Sequence, residues 1–79
     1  MTADSSAPQR TANVIGLGLI GGSIALGLRQ RGWIVHGDDT SVATAETAVR
    51  REIIHHIGLA PDAEITFVAV PVLAAVSYT

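Results

Sequence analysis

VIGLGLIGGS, residues 14–23, is the stretch that decides the fold of this chain. Within it, Gly16, Gly18 and Gly21 have the spacing G-x-G-x-x-G. The first glycine of this pattern permits a tight turn from a strand into a helix, the second lets a ligand approach the backbone, and the third lets the helix lie close to the strand. The pattern therefore predicts a phosphate-binding turn at a helix N-terminus, where free N–H groups and the helix dipole attract anions.

Strands and helices alternate along the chain on either side of this turn. The pattern of apolar residues predicts strands at 12–16, 33–37 and 65–70, with helices at 19–31 and from 42 to about 56–58. Such alternation favours a parallel sheet, and the fold class is therefore α/β: a partial Rossmann-like β-α-β-α-β unit, the incomplete half of a doubly wound domain. Residues 1–10 are polar and small, and we expect them to be a disordered tail.

An acidic pair, Asp38 and Asp39, follows the second predicted strand. Dinucleotide-binding folds place a carboxylate about 20 residues after the glycines, where it accepts a hydrogen bond from the adenosine ribose. Asp39 fits this position, and its charge together with Thr40, where an arginine would favour NADP, predicts NAD as the cofactor. The alternative is that Asp39 only caps the second helix, for which Ser41 is also a candidate. Of the two acids, we assign a structural role, and not ribose binding, to Asp38. Successive residues of a strand point to opposite sides, so Asp38 points away from the side to which Asp39 points.

Composition excludes several other classes of protein. The chain has no cysteine, so disulfides and thiolate chemistry are excluded. Five scattered arginines, no lysine and a formal charge of −2 argue against nucleic acid as a partner. Residues 12–28 are uncharged, but they include five glycines and fall short of the roughly 20 apolar residues of a spanning helix. We expect no membrane partner and a cytoplasmic protein.

The histidines do not form a recognisable reactive group in the sequence. His36 falls within the second strand, and His55 and His56 are adjacent at the predicted end of the second helix. Neighbouring residues on a helix do not share a face, and a third ligand is not nearby. We therefore predict no metal site and interpret the pair as a helix C-terminus that tolerates a cation.

Residues 15–23 resemble the opening of prephenate and arogenate dehydrogenases. The segment Leu19-Ile20-Gly21-Gly22-Ser23 carries most of this resemblance, because the related β-hydroxyacid dehydrogenases usually have Met-Gly where this chain has Ile20-Gly21. Residues 68–72, Val-Ala-Val-Pro-Val, are similar to the family's strand beside the cofactor. The resemblance covers roughly residues 13–72 and implies that residues 11–79 are a truncated NAD-binding Rossmann domain.

The resemblance implies an NAD-dependent oxidative decarboxylation, in which prephenate loses a hydride and carbon dioxide to give 4-hydroxyphenylpyruvate for tyrosine biosynthesis. It implies cofactor contacts through Gly16, Gly18, Gly21 and Asp39, through the backbone N–H groups of Leu19 and Ile20, and through Val70 as a wall. The family's catalytic histidine and substrate-binding arginine lie later in the chain. None of the three histidines here matches, so no catalytic residue is assigned.

Two departures from the family pattern bear on function. The stretch before Ile65 is short where the family has room for a third strand, and the chain stops soon after Val72. We expect a fragment, a truncated product or a displaced reading frame near the end. Such a chain would be inactive alone, would bind prephenate only if the missing region were supplied, and would self-associate through an exposed sheet edge.

Two other functions stay open at this point. One is another NAD(P)-dependent dehydrogenase, of the β-hydroxyacid or pyrroline-carboxylate reductase type, although the run Gly21-Gly22-Ser23 speaks against it. The other is a non-catalytic nucleotide-binding module that uses the fold without its chemistry, which the lack of a catalytic group supports.

Overall fold

The computed structural model describes residues 9–69, in which four parallel strands form a single sheet. The elements are β1 (Thr11–Ile15), α1 (Leu19–Gln30), β2 (Ile34–Asp38), α2 (Val42–Arg50), β3 (His56–Ile57) and β4 (Ile65–Val68). The strand order in the sheet is β3-β2-β1-β4. This arrangement confirms the α/β fold class with a parallel Rossmann-type sheet.

Both helices cover the same face of the sheet. Val14 in β1 is paired with Gly37 in β2 and with Phe67 in β4, and residues paired across parallel strands point to one face. The apolar cluster on this face joins β1 and β2 to α1 and α2. Its buried members are Val14, Leu17, Ala25, Val35, Ala45, Ala48 and Ile54. The core therefore lies between one sheet face and the two helices.

The two helices end with the same hydrogen-bond pattern but with different residues. After α1, Gly32 has φ +90° and its N–H donates to the Arg29 carbonyl, while the Trp33 N–H donates to Leu28. After α2, the equivalent position is Glu52, with φ +60°. A left-handed residue just past a helix is most often glycine, because a side chain is strained there.

The prediction that the second helix reaches His56 or Gly58 is therefore wrong. Helix α2 begins after Ser41, whose hydroxyl accepts from the Thr44 N–H at 3.2 Å, as predicted, but it ends at Arg50. The chain then turns into β3, which pairs with β2. The expectation that this stretch has no room for a third strand is also wrong, because β3 needs only two residues.

The fully buried residues of the two helices are small, and the large apolar residues of their first turns are exposed. Ile20 is 72% exposed and Val42 is 69% exposed, whereas the small residues Ala25, Ala45 and Ala48 are buried. Small side chains permit close packing of the helices on the sheet, and the larger ones lie at the helix starts. Within residues 9–69, none of the helices is long and apolar enough to cross a membrane.

The start of β1 is held by a residue that the sequence assigns to the tail. The Arg10 carbonyl accepts from the Ile34 N–H at 2.8 Å, and its guanidinium lies 3.4 Å from the Glu64 carboxylate. The same guanidinium lies 5.0 Å from the centre of the Trp33 ring. Arg10 therefore contacts β2 through its backbone and Glu64 and Trp33 through its side chain.

Candidate functional site

The glycine loop, residues 16–21, leaves the carboxyl end of β1 through a turn that requires its first glycine. Gly16 has φ +92°, a backbone conformation that L side chains rarely adopt. Its N–H donates to the Asp38 carbonyl at 2.8 Å, which fixes the loop to the end of β2. The structure thus gives Gly16 the turning role that the sequence predicts.

The third glycine of the loop is required by close packing. A Cβ atom at Gly21 would lie 1.7 Å from the Gly16 carbonyl oxygen and 3.3 Å from the Ala69 Cβ. No side chain fits at the first of these distances, so the first turn of α1 can lie against the loop only with glycine at this position. Gly21 is buried and is therefore not accessible to a ligand.

The second glycine faces open space instead. A Cβ atom at Gly18 would meet none of residues 9–69 within 4 Å, and the φ of −73° at Gly18 is open to any residue. The fold itself therefore does not require glycine here. A glycine without an internal reason for its presence is expected where an external molecule approaches the backbone.

The N-terminus of α1 presents its backbone to solvent. Gly18 is the N-cap residue, no side chain caps the helix, and its first turn has no acidic residue. The N–H groups of Leu19 and Ile20 have no acceptor within an α-helix at these positions. Their side chains are 93% and 72% exposed, so the end of the helix is uncovered. These N–H groups and the helix dipole suit an anion.

Asp39 lies beside the loop and bonds to it. Its Oδ2 accepts from the Leu17 N–H at 2.7 Å, and its Oδ1 accepts from the Ser41 N–H at 2.8 Å. The bond from Leu17, followed by the bond from Ser41, lowers the pKa of Asp39 below its ordinary value, against a smaller opposing effect of burial. The half-buried carboxylate is therefore charged at neutral pH and is placed at the C-terminal edge of the sheet.

Asp38 makes a local contact only. It is exposed, and its Oδ1 accepts from the Asp39 N–H at 2.9 Å. The two side chains thus differ in what they bind, since the Asp39 carboxylate connects the loop to the start of α2 and the Asp38 carboxylate bonds only to the neighbouring Asp39 N–H. We name the glycine loop and Asp39 together the sheet-edge site.

A residue that the sequence analysis did not single out supports this site from behind. A Cβ atom at Gly37 would lie 3.0 Å from Ile54 Cγ2 and 3.1 Å from Leu17 Cδ2. Gly37 therefore leaves the space in which the Leu17 side chain enters the core. The signal in the sequence is a glycine inside a strand, which often marks such a close approach.

The histidines occupy positions other than the predicted helix end. The rings of His36 in β2 and His56 in β3 are 4.7 Å apart between centroids, and the Val35 N–H donates to His55 Nδ1 at 2.9 Å. Burial, and next the charge of Arg29, lower the pKa of His55. These residues therefore hold the edge of the sheet together, and the interpretation as a helix C-terminus is wrong. No group of three metal-binding side chains occurs in the part of the chain that the structure describes.

A separate cleft of about 600 Å³ lies between the two helices. It shares only Leu17, Gly18 and Leu19 with the sheet-edge site, and Asp39 is not among its walls. Most of its lining comes from α1, α2 and the turn after α2. The remaining lining residues are Gly22, Ser23, Leu26, Ala43, Thr44, Thr47, Ala48, Arg51 and Ile53.

The site residues predicted from the sequence thus come together, with one outside the described residues. Gly16, Gly18 and Gly21 form the loop, Leu19 and Ile20 offer N–H groups, and Asp39 lies beside Leu17. Val70 lies outside the part of the chain that the structure describes.

Comparison with known proteins gives structural matches. The sequence matches no family model and no curated protein. Synechocystis arogenate dehydrogenase superposes with a TM-score of 0.73 at 36% identity, over 78% of this chain and 24% of that chain. The chain resembles the N-terminal part of arogenate and prephenate dehydrogenases.

A second solved structure supports the same fold. Prephenate dehydrogenase from A. aeolicus, in complex with hydroxyphenyl propionate and NAD+, gives a TM-score of 0.72 at 23% identity over 89% of this chain. The match covers 27% of that protein, so the chain spans about a quarter of the length of either relative. The resemblance read from residues 15–23 is confirmed by these matches.

Proposed function

We propose that this chain binds the adenosine diphosphate portion of NAD at the sheet-edge site, as the N-terminal part of a prephenate or arogenate dehydrogenase. The observation that carries the proposal is Gly18, a residue at which the fold would accept a side chain and which faces open space at a helix N-terminus. The NAD+ complex of the similar A. aeolicus enzyme supports the choice of ligand.

The phosphates would be held by the backbone of the loop. The N–H groups of Leu19 and Ile20 and the positive end of the α1 dipole would face the pyrophosphate, and Gly18 would let it approach. Gly16 and Gly21 act indirectly, because they allow the turn and the close packing that place these N–H groups. This assignment needs no cationic side chain at the loop.

The adenosine ribose would be held by Asp39. A charged carboxylate accepts hydrogen bonds from sugar hydroxyls and repels the 2′-phosphate of NADP. Thr40, the next residue, adds no positive charge that would offset this repulsion. Val70 we propose as a wall beside the cofactor, from the resemblance of residues 68–72 alone.

The complete enzyme would carry out the oxidative decarboxylation of prephenate or arogenate in tyrosine biosynthesis. NAD supplies the hydride acceptor when it is bound. This chain would bind and orient that cofactor through residues 11–79, which we propose as one truncated domain. The sheet-edge site, residues 16–21 and Asp39, contains no histidine and no arginine that could contact a substrate. The relatives are about four times as long as this chain.

The binding part of the proposal is tested by two glycine-to-alanine substitutions in the full 79-residue chain. Gly18→Ala places a methyl group where the pyrophosphate would approach, and we expect about a tenfold or greater loss of NAD affinity by calorimetry. Gly27→Ala is the matched control, because its added Cβ also meets nothing within 4 Å among the described residues but lies near the other end of α1. It should leave the affinity unchanged. Equal NAD affinity in the two variants would contradict the assigned site.

The catalytic part of the proposal predicts no turnover by this chain alone. Hydride transfer needs the substrate held against the cofactor, and the loss of that positioning is worth about 7–11 kcal/mol. We expect no rise in NADH absorbance when prephenate or arogenate is mixed with NAD and excess chain. Measurable turnover, abolished by substitution of one of the three histidines, would show that a catalytic residue lies here.

A further inference from the structure

A single carboxylate connects the glycine loop to the start of α2. Asp39 Oδ2 accepts from the Leu17 N–H and Oδ1 from the Ser41 N–H, at 2.7 and 2.8 Å. We propose that Asp39 is a positioning residue that holds the glycine loop in its binding conformation. Its proposed contact with the ribose rests on the proposed function, whereas this positioning role does not.

Leu17 is the part of the loop on which this bond acts. It lies between Gly16 and Gly18, so both neighbouring residues have unusual conformational freedom. Its side chain is buried in the core beside Gly37 and Ile54, and its N–H is bound by Asp39. Leu17 is therefore held from two sides. Without the bond from the carboxylate, only the side chain would fix the middle of the turn.

The carboxylate can hold the loop and a ligand at the same time. An ionised carboxylate has about four acceptor positions, and the two backbone bonds use one on each oxygen. Asp39 is half-buried, so the remaining positions are reachable. A sugar diol can therefore bind without releasing Leu17, and the loop does not have to rearrange when the cofactor enters.

Among the described residues, Asp39 is the acidic residue whose carboxylate binds the Leu17 and Ser41 N–H groups. Neither α1 nor α2 has an acidic residue in its first turn. The neighbouring Asp38 is exposed and uses its Oδ1 on the Asp39 N–H. Charge-assisted hydrogen bonds of this type are stronger than neutral ones. Replacing the carboxylate by an amide would leave one of the two N–H donors facing an NH₂ group.

The sign of the pH dependence follows from the lowered pKa of Asp39. A group whose pKa is lowered by folding contributes stability above its unfolded pKa and loses that contribution as the pH falls through the folded value. The loop contact is therefore complete at neutral pH and is lost only in acid, below the ordinary range of aspartate titration.

The test is a pH titration of the 79-residue chain by NMR, without added ligand. The amide signals of Leu17 and Ser41 should move together, with one apparent pKa below the ordinary aspartate value. In Asp39→Asn, this titration should vanish and exchange of the Leu17 amide should rise by about tenfold or more. Asp38→Asn is the control, because the Asp38 carboxylate contacts neither the Leu17 nor the Ser41 amide. In this variant the two amide signals should still titrate, and the Leu17 amide should exchange as in the unmodified chain. A Leu17 amide that does not titrate in the unmodified chain would overturn the proposal without relying on a variant.

The outcome is separable from that of the proposed function. Co-titration of the two amides in a chain that shows no NAD binding would support the positioning role and contradict NAD binding. NAD binding by a chain whose Leu17 amide is unaffected by Asp39→Asn would support NAD binding and contradict the positioning role.

Discussion

The side-chain amide of Asn13 binds the backbone of Ala60 at both of its polar groups. Asn13 Nδ2 donates to the Ala60 carbonyl at 2.9 Å, and Asn13 Oδ1 accepts from the Ala60 N–H at 2.8 Å. Asn13 is buried in β1, and its pairing with His36 places it on the sheet face opposite the helices. One side chain therefore fixes the connection between β3 and β4 across the second face.

Replacing Asn13 should destabilise the fold strongly. In Asn13→Ala, two buried backbone groups lose their partners, and we expect a loss of about 2–4 kcal/mol in the free energy of unfolding. Thr66→Ala is the control, because its hydroxyl makes only a 3.2 Å bond to Asn13 Nδ2 and the residue is exposed. Urea unfolding measures both changes. Similar values for the two variants would show that the Ala60 contacts carry little stability.

The two helix ends predict opposite effects of substitution at equivalent positions. Gly32→Ala puts a side chain at φ +90° and should destabilise by about 1 kcal/mol, whereas Glu52→Gly relieves a side chain at φ +60° and should stabilise by about 0.5–1 kcal/mol. Thermal unfolding of the two variants tests the pair. Stabilisation by both, or by neither, would contradict the equivalence of the two ends.

Cofactor preference should depend on Asp39. We expect the chain to bind NAD more tightly than NADP, and Asp39→Ala to narrow the difference, because the variant no longer repels the 2′-phosphate. Calorimetric titration with both cofactors measures the ratio. Asp38→Ala provides the control, since the Asp38 carboxylate bonds only to the neighbouring N–H. Equal affinity for NADP in the unmodified chain would contradict the assignment of Asp39.

The outer edge of β4 should make the 79-residue chain self-associate. Strand β4 is at the edge of the described sheet, it carries no charge, and Val68 is 65% exposed. Apolar edges pair with other strands, and a lysine on an edge strand discourages this. Sedimentation at micromolar concentration should show oligomers that Val68→Lys reduces. Val42→Lys, at a similarly exposed residue on α2, should not reduce them. A clean monomer in the unmodified chain would contradict this prediction.

The glycine loop could be predicted because Gly16 and Gly21 meet local stereochemical requirements that fix the spacing of the motif. Asp39 could be predicted because its distance from the loop along the chain is set by one helix and one strand. The end of α2 could not be predicted from the sequence. Glu52 occupies a position that glycine usually takes, so the apolar residues Val49 and Ile53 continue a helical pattern past the true end. Likewise, the bonds of Asn13 and His55 join residues far apart in sequence, and neither has a local signal.

The strand order reverses direction beside β1. From β1 the chain moves outward to β2 and β3, and then it crosses back to place β4 on the other side. Connections leave in opposite directions at such a reversal, and a crevice opens above the carboxyl ends of the two strands. On its β2 side the crevice has a charged acceptor and free N–H groups, and on its β4 side it has Val68 and Ala69. The groups that suit an anionic or hydroxylated ligand therefore lie on the β2 side of this reversal, and the β4 side is apolar.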